Sequence, residues 1–143
     1  MNGTDANPGI IDTNVFVHSH RQDEHGEECS RLLRAVERGE IFIQLEPMIV
    51  HELSYVLPRH VSTMGRLEFI EYMLTVLSWP GIQGDVALIQ AALTRWRERP
   101  SLGFVDAYLG ARAEQLDCPV YTKNLRDLGG LGVDVPETLP GQR

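Results

Sequence analysis

Apolar residues follow two alternating patterns along the chain, short continuous runs and longer periodic segments. The first run lies within Pro8–Val17, which opens with a Pro-Gly turn signal, and the second is Ile41–Leu45. Short apolar runs bounded by turn residues are typical of buried strands in a parallel sheet. Two later segments, Pro119–Thr122 and Gly132–Val135, are interpreted as further strands.

Between these runs, apolar residues recur every three or four positions, which predicts amphipathic helices. Cys29, Leu32, Leu33 and Val36 follow this spacing, and Gly39 ends the segment. Four more helices are expected: Pro47 to about Leu57, ended by Pro58; about Met64 to Ser78; one capped by Asp85; and one capped by Ser101 that runs to about Leu116.

Strands that alternate with helices predict an α/β fold, with a central, mostly parallel sheet of four to five strands flanked by helices. A length of 143 residues favours a single domain with a real core. We expect this domain at residues 8–136, after a loose leader at 1–7 and before a loose tail at 137–143.

Composition and charge narrow the class of protein. A formal net charge of −7 argues against a protein that coats nucleic acid through bulk charge. Acidic residues that hold a metal ion would contribute to the same total, so the charge is compatible with a nuclease. No apolar run approaches the roughly 20 residues of a membrane helix, and the polar start lacks the features of a signal peptide. We therefore expect a cytoplasmic protein that does not bind a membrane.

Three carboxylates occupy positions where ordinary surface acids are not expected. Asp12 follows the first predicted strand, and ligand chemistry in α/β sheets collects at such strand ends. At about 100° per residue, Glu52 falls about 40° from Met48 on its helix and close to Val56. On the last long helix, Asp106 falls about 40° from Leu102 by the same construction, beside Ala113. Both helical acids are therefore expected to face the core.

A buried carboxylate needs a partner or a cation, because its desolvation is costly. Each of these acids taken alone is explained equally well by a backbone amide or an arginine. Acids brought close together also repel one another unless something compensates the charge. Carboxylate oxygens completed by water are the ligands that Mg²⁺ or Mn²⁺ requires.

At these residues the sequence resembles the PIN-domain nucleases, and among them the VapC-type toxin ribonucleases. Asp12-Thr13-Asn14-Val15 looks like the family's opening motif, and Glu52 sits like the glutamate of its early helix. Phe104–Leu109, around Asp106, looks like the third acidic motif. Tyr121–Leu128 is similar to the strand-end Thr-x-Asn/Asp motif. The match extends over roughly residues 8 to 136, and the predicted fold is therefore PIN-like.

The resemblance implies a metal-dependent endoribonuclease that hydrolyses RNA phosphodiester bonds. Asp12, Glu52 and Asp106 would hold Mg²⁺ or Mn²⁺ and belong to the catalytic set. The fourth acidic position of the family is Asn124 here, which brings no charge. Asp127 could supply a carboxylate nearby, and the sequence leaves open which of the two acts.

Neighbouring polar residues receive supporting roles from the same resemblance. Thr13, Asn14 and Thr122 would orient the carboxylates through hydrogen bonds. Positively charged side chains would contact RNA phosphates or remain solvated surface charges, and these are Arg112, Lys123 and Arg126. Proteins of this kind typically form homodimers and pair with a small antitoxin, so these partners are also implied.

Two other functions fit parts of the sequence. Asp12 could be the covalent nucleophile of a phosphohydrolase, although such sites favour Asp-x-Asp and Asn14 holds the second position here. The chain could also be a non-catalytic PIN-fold interaction module, which the missing charge at Asn124 would suit. His18, His20 and His25 are interpreted as solvated residues of a polar connection rather than as metal ligands.

Overall fold

The structure is a computed structural model that describes residues 7–21, 23–130 and 132–141. The chain divides into two compact units, one up to Val86 and the other from Ala87 onward. Within the described residues there are three strands and seven helices. The α/β class and the parallel sheet flanked by helices are confirmed, whereas the expectation of a single domain over 8–136 stays a prediction.

The first unit is built around a small parallel sheet. Its elements, in chain order, are β1 (Gly9–Ile10), α1 (Thr13–Ser19), α2 (Gly26–Glu37), β2 (Ile43–Gln44), α3 (Pro47–His60), α4 (Arg66–Leu77) and β3 (Ile82–Gln83). The strands lie in the order β1-β2-β3, with Gly9 opposite Ile43 and Ile43 opposite Ile82. Parallel neighbours need a crossover, and a pair of helices provides each one here.

The core of this unit draws on all four of its helices. Helix α1 packs against α2 and α3, and α3 packs against α4. These contacts bury whole side chains because each helix has an apolar stripe along one side. The fully buried side chains include Phe16, Val36, Leu45, Val50, Leu53, Leu57, Phe69, Ile70 and Met73.

The second unit is helical in the described residues. It contains α5 (Val86–Glu98), α6 (Phe104–Leu116) and the short α7 (Leu125–Leu128). The rings of Trp96 on α5 and Phe104 on α6 meet edge to face, with centroids 6.2 Å apart. Helix α6 ends at Asp117, which takes the left-handed conformation at φ 51°. Asp adopts this conformation more readily than most residues, so it suits a helix end.

The predicted sheet of four to five strands is wrong, because three strands are found in the described residues. Neither Pro119–Thr122 nor Gly132–Val135 forms a strand, and Val120 N–H donates to the Asp134 carbonyl at 2.9 Å. A single such bond does not make a ladder.

Strand β3 was not predicted, because its two residues contain only one apolar side chain. It is held by backbone contacts at Gly81, whose carbonyl accepts a 2.8 Å bond from Ile43 N–H. A Cβ at Gly81 would overlap the Ile41 and Val36 carbonyl oxygens. Gly81 is therefore a position where only glycine allows two backbones to approach.

Several helix boundaries also differ from expectation. Helix α1 occupies part of the segment expected to be a strand and a polar connection. Pro58 lies inside α3 rather than at its end. Pro58 has no N–H to donate, so the helix loses one backbone hydrogen bond there, but it continues for two more residues. Helix α6 is capped by Gly103 and not by Ser101.

In the part of the chain that the structure describes, no helix combines the length and the apolar character needed to cross a membrane.

Candidate active site

Asp12 lies between β1 and α1 and caps that helix. Its backbone is extended, and its Oδ1 accepts a 2.7 Å hydrogen bond from Thr13 N–H. An aspartate at this position satisfies one of the amides that a helix start leaves unpaired. Asp12 and Asn14 are exposed at this strand end.

Thr13 is the buried polar residue beside this carboxylate. Its side chain is 4% exposed, and its Oγ1 has no hydrogen-bond partner among the described residues. Leaving a buried hydroxyl unpaired costs about 1–3 kcal/mol. Such an atom is therefore suited to pair with water or a ligand next to Asp12.

Glu52 lies in the second turn of α3, the helix that packs against α1. Its side chain is half-buried. The buried face of α3 is formed by Val50, Leu53 and Leu57, whereas Met48 is 81% exposed. At about 100° per residue, Glu52 is at least about 100° from each of the buried residues.

The expected core-facing position of Glu52 is therefore wrong. The prediction assumed that the side with Met48 and Val56 is the buried one. Apolar residues surround much of this helix, so their pattern does not show which side is buried. Glu52 instead borders the exposed face. That face carries His51, Tyr55 and Arg59, which the sequence analysis did not single out.

Asp106 lies in the first turn of α6 and is half-buried. Its Oδ2 accepts a long 3.5 Å hydrogen bond from Gly103 N–H. The buried side of α6 contains Phe104, Ala107 and Ala111, whereas Leu109 is 41% exposed. At about 100° per residue, Asp106 falls between the buried residues Gly110 and Ala113, so it lies on the buried side, as expected, and is half-buried there.

Asn124 and Asp127 are joined by a hydrogen bond at the start of α7. Asn124 Nδ2 donates to Asp127 Oδ2 at 3.1 Å, and Asn124 N–H donates to Thr122 Oγ1 at 2.9 Å. The three predicted residues of this motif therefore lie together. The uncharged amide is bonded to the nearby carboxylate, which makes the two residues one unit.

The three predicted phosphate-contacting residues differ in their surroundings. Arg112 is half-buried and donates to Gln115 Oε1. Lys123 Nζ donates to the Glu137 carbonyl at 3.0 Å. Arg126 is exposed on α7. Lys123 and Arg126 are thus both exposed, whereas Arg112 is half-buried.

No arginine, lysine or histidine forms an ion pair with Asp12, Glu52 or Asp106 in residues 7–21, 23–130 and 132–141. An individual arginine partner for each acid, which would explain them without a ligand, is thus not observed there. The chemistry of these donors fits a hard divalent ion. Over the same residues, however, no group of three or more His, Cys, Asp and Glu is arranged to hold a metal ion.

The histidines expected in a polar connection are engaged with their neighbours. His18 Nδ1 lies 2.7 Å from Asp23 Oδ2, and this contact lowers the pKa of the Asp23 carboxyl. The His20 ring meets the Tyr72 ring edge to face, and partial burial lowers the pKa of His20. These contacts give His18 and His20 a structural role within the fold.

The PIN domain family model matches residues 10–127 of the chain. Since the match covers well over half of the sequence, the chain belongs to the PIN domain family. Members of this family are typically metal-dependent nucleases. No curated protein matches the chain significantly.

Proposed function

We propose that this protein is a ribonuclease that hydrolyses RNA phosphodiester bonds with Mg²⁺ or Mn²⁺. The observation that carries the proposal is that the three motif acids lack a basic partner. Asp12, Glu52 and Asp106 stand at the positions that match the family's acidic motifs, and they have no basic partner within the described residues. Asp12 and Asp106 each accept one backbone N–H, but such a bond does not neutralise a carboxylate. Acids without a basic partner therefore keep a negative charge that favours a cation.

Each residue of the proposed site has a role that follows from its chemistry. A bound divalent ion would stabilise the charge on the phosphoryl oxygens. Asp12, Glu52 and Asp106 would hold that ion, and the Thr13 hydroxyl would donate a hydrogen bond to water beside Asp12. Asp127 would supply a further carboxylate.

The remaining residues would position these groups or the substrate. Asn124 and Thr122 would orient Asp127 through the hydrogen bonds described above, and Asn14 would assist next to Asp12. Arg112, Lys123 and Arg126 would contact phosphates. Arg126 is the best supported of these, because Arg112 is half-buried and the exposed Lys123 already donates to the Glu137 carbonyl.

Substitution of the acids tests the activity directly. We expect Asp12→Asn and Asp106→Asn each to lower the rate of RNA cleavage at least about 100-fold, because both remove a carboxylate from the ion. The assay is gel analysis of labelled RNA with purified protein and Mn²⁺ or Mg²⁺. Asn caps helices as well as Asp does, so Asp12→Asn removes charge without removing the start of α1.

Asp117→Asn is the matched control, since it makes the same chemical change at an exposed position that Asn also tolerates. It should cleave at the wild-type rate. Cleavage that survives both active-site substitutions, or that continues in excess chelator, contradicts the proposal. Pure protein that neither binds metal nor cleaves RNA would favour the non-catalytic module.

We further propose that the enzyme is the toxin of a type II toxin–antitoxin pair, that it acts in the cytoplasm and that it forms a homodimer. The similarity of its four motifs to those of VapC-type ribonucleases supports this role. A neighbouring reading frame that encodes a small DNA-binding protein, able to inhibit cleavage when added to the enzyme, is the expected finding.

A further inference from the structure

The exposed face of α3 carries a row of side chains suited to nucleic acid. His51, Tyr55 and Arg59 are spaced four residues apart, so they lie one above another along the helix. The rings of His51 and Tyr55 meet edge to face with centroids 5.5 Å apart. The guanidinium of Arg59 lies over the Tyr55 ring, 5.7 Å from its centroid.

Tyr55 remains accessible within this row, with 45% of its surface exposed. An exposed aromatic ring that is flanked by an imidazole and a guanidinium offers planar groups on which a nucleobase can stack. Stacking of this kind needs no particular base, because every base has a π face. The neighbouring arginine adds a partner for phosphate.

Positive charge is concentrated from the middle of this row onward. Residues 53–67 contain Arg59, His60 and Arg66 and no aspartate or glutamate, although the net charge of the chain is −7. This segment, bounded by Glu52 and Glu68, therefore gives an acidic chain a local positive charge that a polyanion can approach. Charge of this kind guides where a strand binds more than how tightly it binds.

Glu52 borders the same face. At about 100° per residue, it lies within about 60° of Met48, Tyr55 and Arg59 around the axis. Arg59 is seven residues further on, or about 10 Å along the helix at 1.5 Å per residue. A strand that follows this row thus ends next to a proposed catalytic carboxylate.

We propose that the row His51, Tyr55 and Arg59 binds unpaired RNA and presents it to Glu52. This inference rests on the proposed ribonuclease function and assigns the surface that binds its RNA. Tyr55 stacks on a base and Arg59 binds an adjacent phosphate. Paired RNA fits less well, because its bases are already stacked within the duplex.

Fluorescence anisotropy with a labelled single-stranded oligoribonucleotide tests the proposal. Binding is measured in chelator, so that no RNA is cleaved, and cleavage is measured separately with Mn²⁺. We expect Tyr55→Ala to weaken binding about tenfold and to raise KM rather than lower kcat. Tyr55→Phe, which keeps the ring, should bind like the wild type, and a duplex of the same sequence should bind more weakly.

Arg59→Ala should also weaken binding and should lower the slope of log K against log salt by about 0.7, the value for one phosphate contact on a single strand. Arg31→Ala is the matched control, because it removes an exposed positive charge on α2, away from this face. Its binding should be unchanged. Circular dichroism confirms that each variant is folded, as expected for exposed positions.

The results separate this inference from the proposed function. If the wild type cleaves RNA but Tyr55→Ala binds and cleaves like the wild type, the row is not the RNA site and the nuclease proposal stands. If Tyr55→Ala changes only the oligomeric state, the face binds a second copy and the inference is wrong. If the wild type neither binds nor cleaves RNA, the proposed function itself fails.

Discussion

Asp12 serves the structure of the helix start and carries the first acidic motif at the same time. Its carboxylate accepts the Thr13 amide at 2.7 Å, which anchors the beginning of α1. An alanine at this position would remove both the cap and the charge, and a loss of activity could then come from a frayed helix. Removal of the charge alone therefore needs asparagine, which caps as well as aspartate.

The Asn124–Asp127 pair answers a question that the sequence leaves open. Because Asn124 donates to Asp127 at 3.1 Å, the amide can orient a carboxylate that carries the charge. We expect Asp127→Asn to lower kcat/KM for RNA at least about tenfold, in the range found for residues next to a metal ion. Asn124→Ala should lower it less, because the carboxylate remains.

Steady-state cleavage of one defined RNA at fixed Mn²⁺ measures both variants. Asp117→Asn again serves as the control for loss of an aspartate. A wild-type rate for Asp127→Asn would show that Asp127 is not needed and would leave Asn124 as the residue that acts. An equal loss in both variants would instead indicate that the two residues act only together.

Among the elements, β3 depends most directly on a single residue. Gly81 is buried where its backbone crosses the backbone at Val36 and Ile41. A Cβ there would meet the Val36 carbonyl oxygen at 2.5 Å. We expect Gly81→Ala to lower the free energy of unfolding by at least about 2 kcal/mol, since backbone atoms cannot move aside cheaply.

Urea unfolding followed by circular dichroism measures this change through the midpoint at constant slope. Gly9→Ala is the matched control, because a Cβ at Gly9 in β1 has nothing within 4 Å. It should change the free energy by no more than about 0.5 kcal/mol. Equal stability of Gly81→Ala and the wild type would mean that the close approach at β3 is not required.

The elements that could be predicted from sequence are those with several periodic apolar residues. Helix α2 was expected from Cys29 to Val36 and is found at Gly26–Glu37. Helix α4 was expected at about Met64 to Ser78 and is found at Arg66–Leu77. Repetition over three turns makes such a pattern specific. The two-residue strand β3 has no repetition to detect.

The orientation of helices was harder to predict than their existence. On α3, seven of the first eleven residues are apolar or aromatic, so the pattern alone admitted a buried face on either side. In the structure, α3 packs against α1 and α4, and the buried face is the one with Val50, Leu53 and Leu57. The motif acids were found as positions in sequence, but their exposure is a tertiary property that the pattern does not contain.

For the whole molecule, the net charge of −7 bears on both stability and metal binding. An acidic chain repels itself, and a divalent ion held only by the folded state relieves part of that repulsion. Binding to the folded state stabilises it by about 2.7 kcal/mol when the ion is present at 100 times its dissociation constant. Such a gain raises the thermal midpoint by several degrees.

We therefore expect saturating Mn²⁺ to raise the midpoint of thermal unfolding of the wild type, as measured by scanning calorimetry. The shift should disappear in Asp12→Asn and in Asp106→Asn, because each loses a ligand. It should persist in Asp117→Asn, which has the same net charge as those variants. This comparison separates site binding from general screening of acidic charge, since screening would act on all three variants alike. An equal shift in all of them would show that Mn²⁺ stabilises the chain without the proposed site.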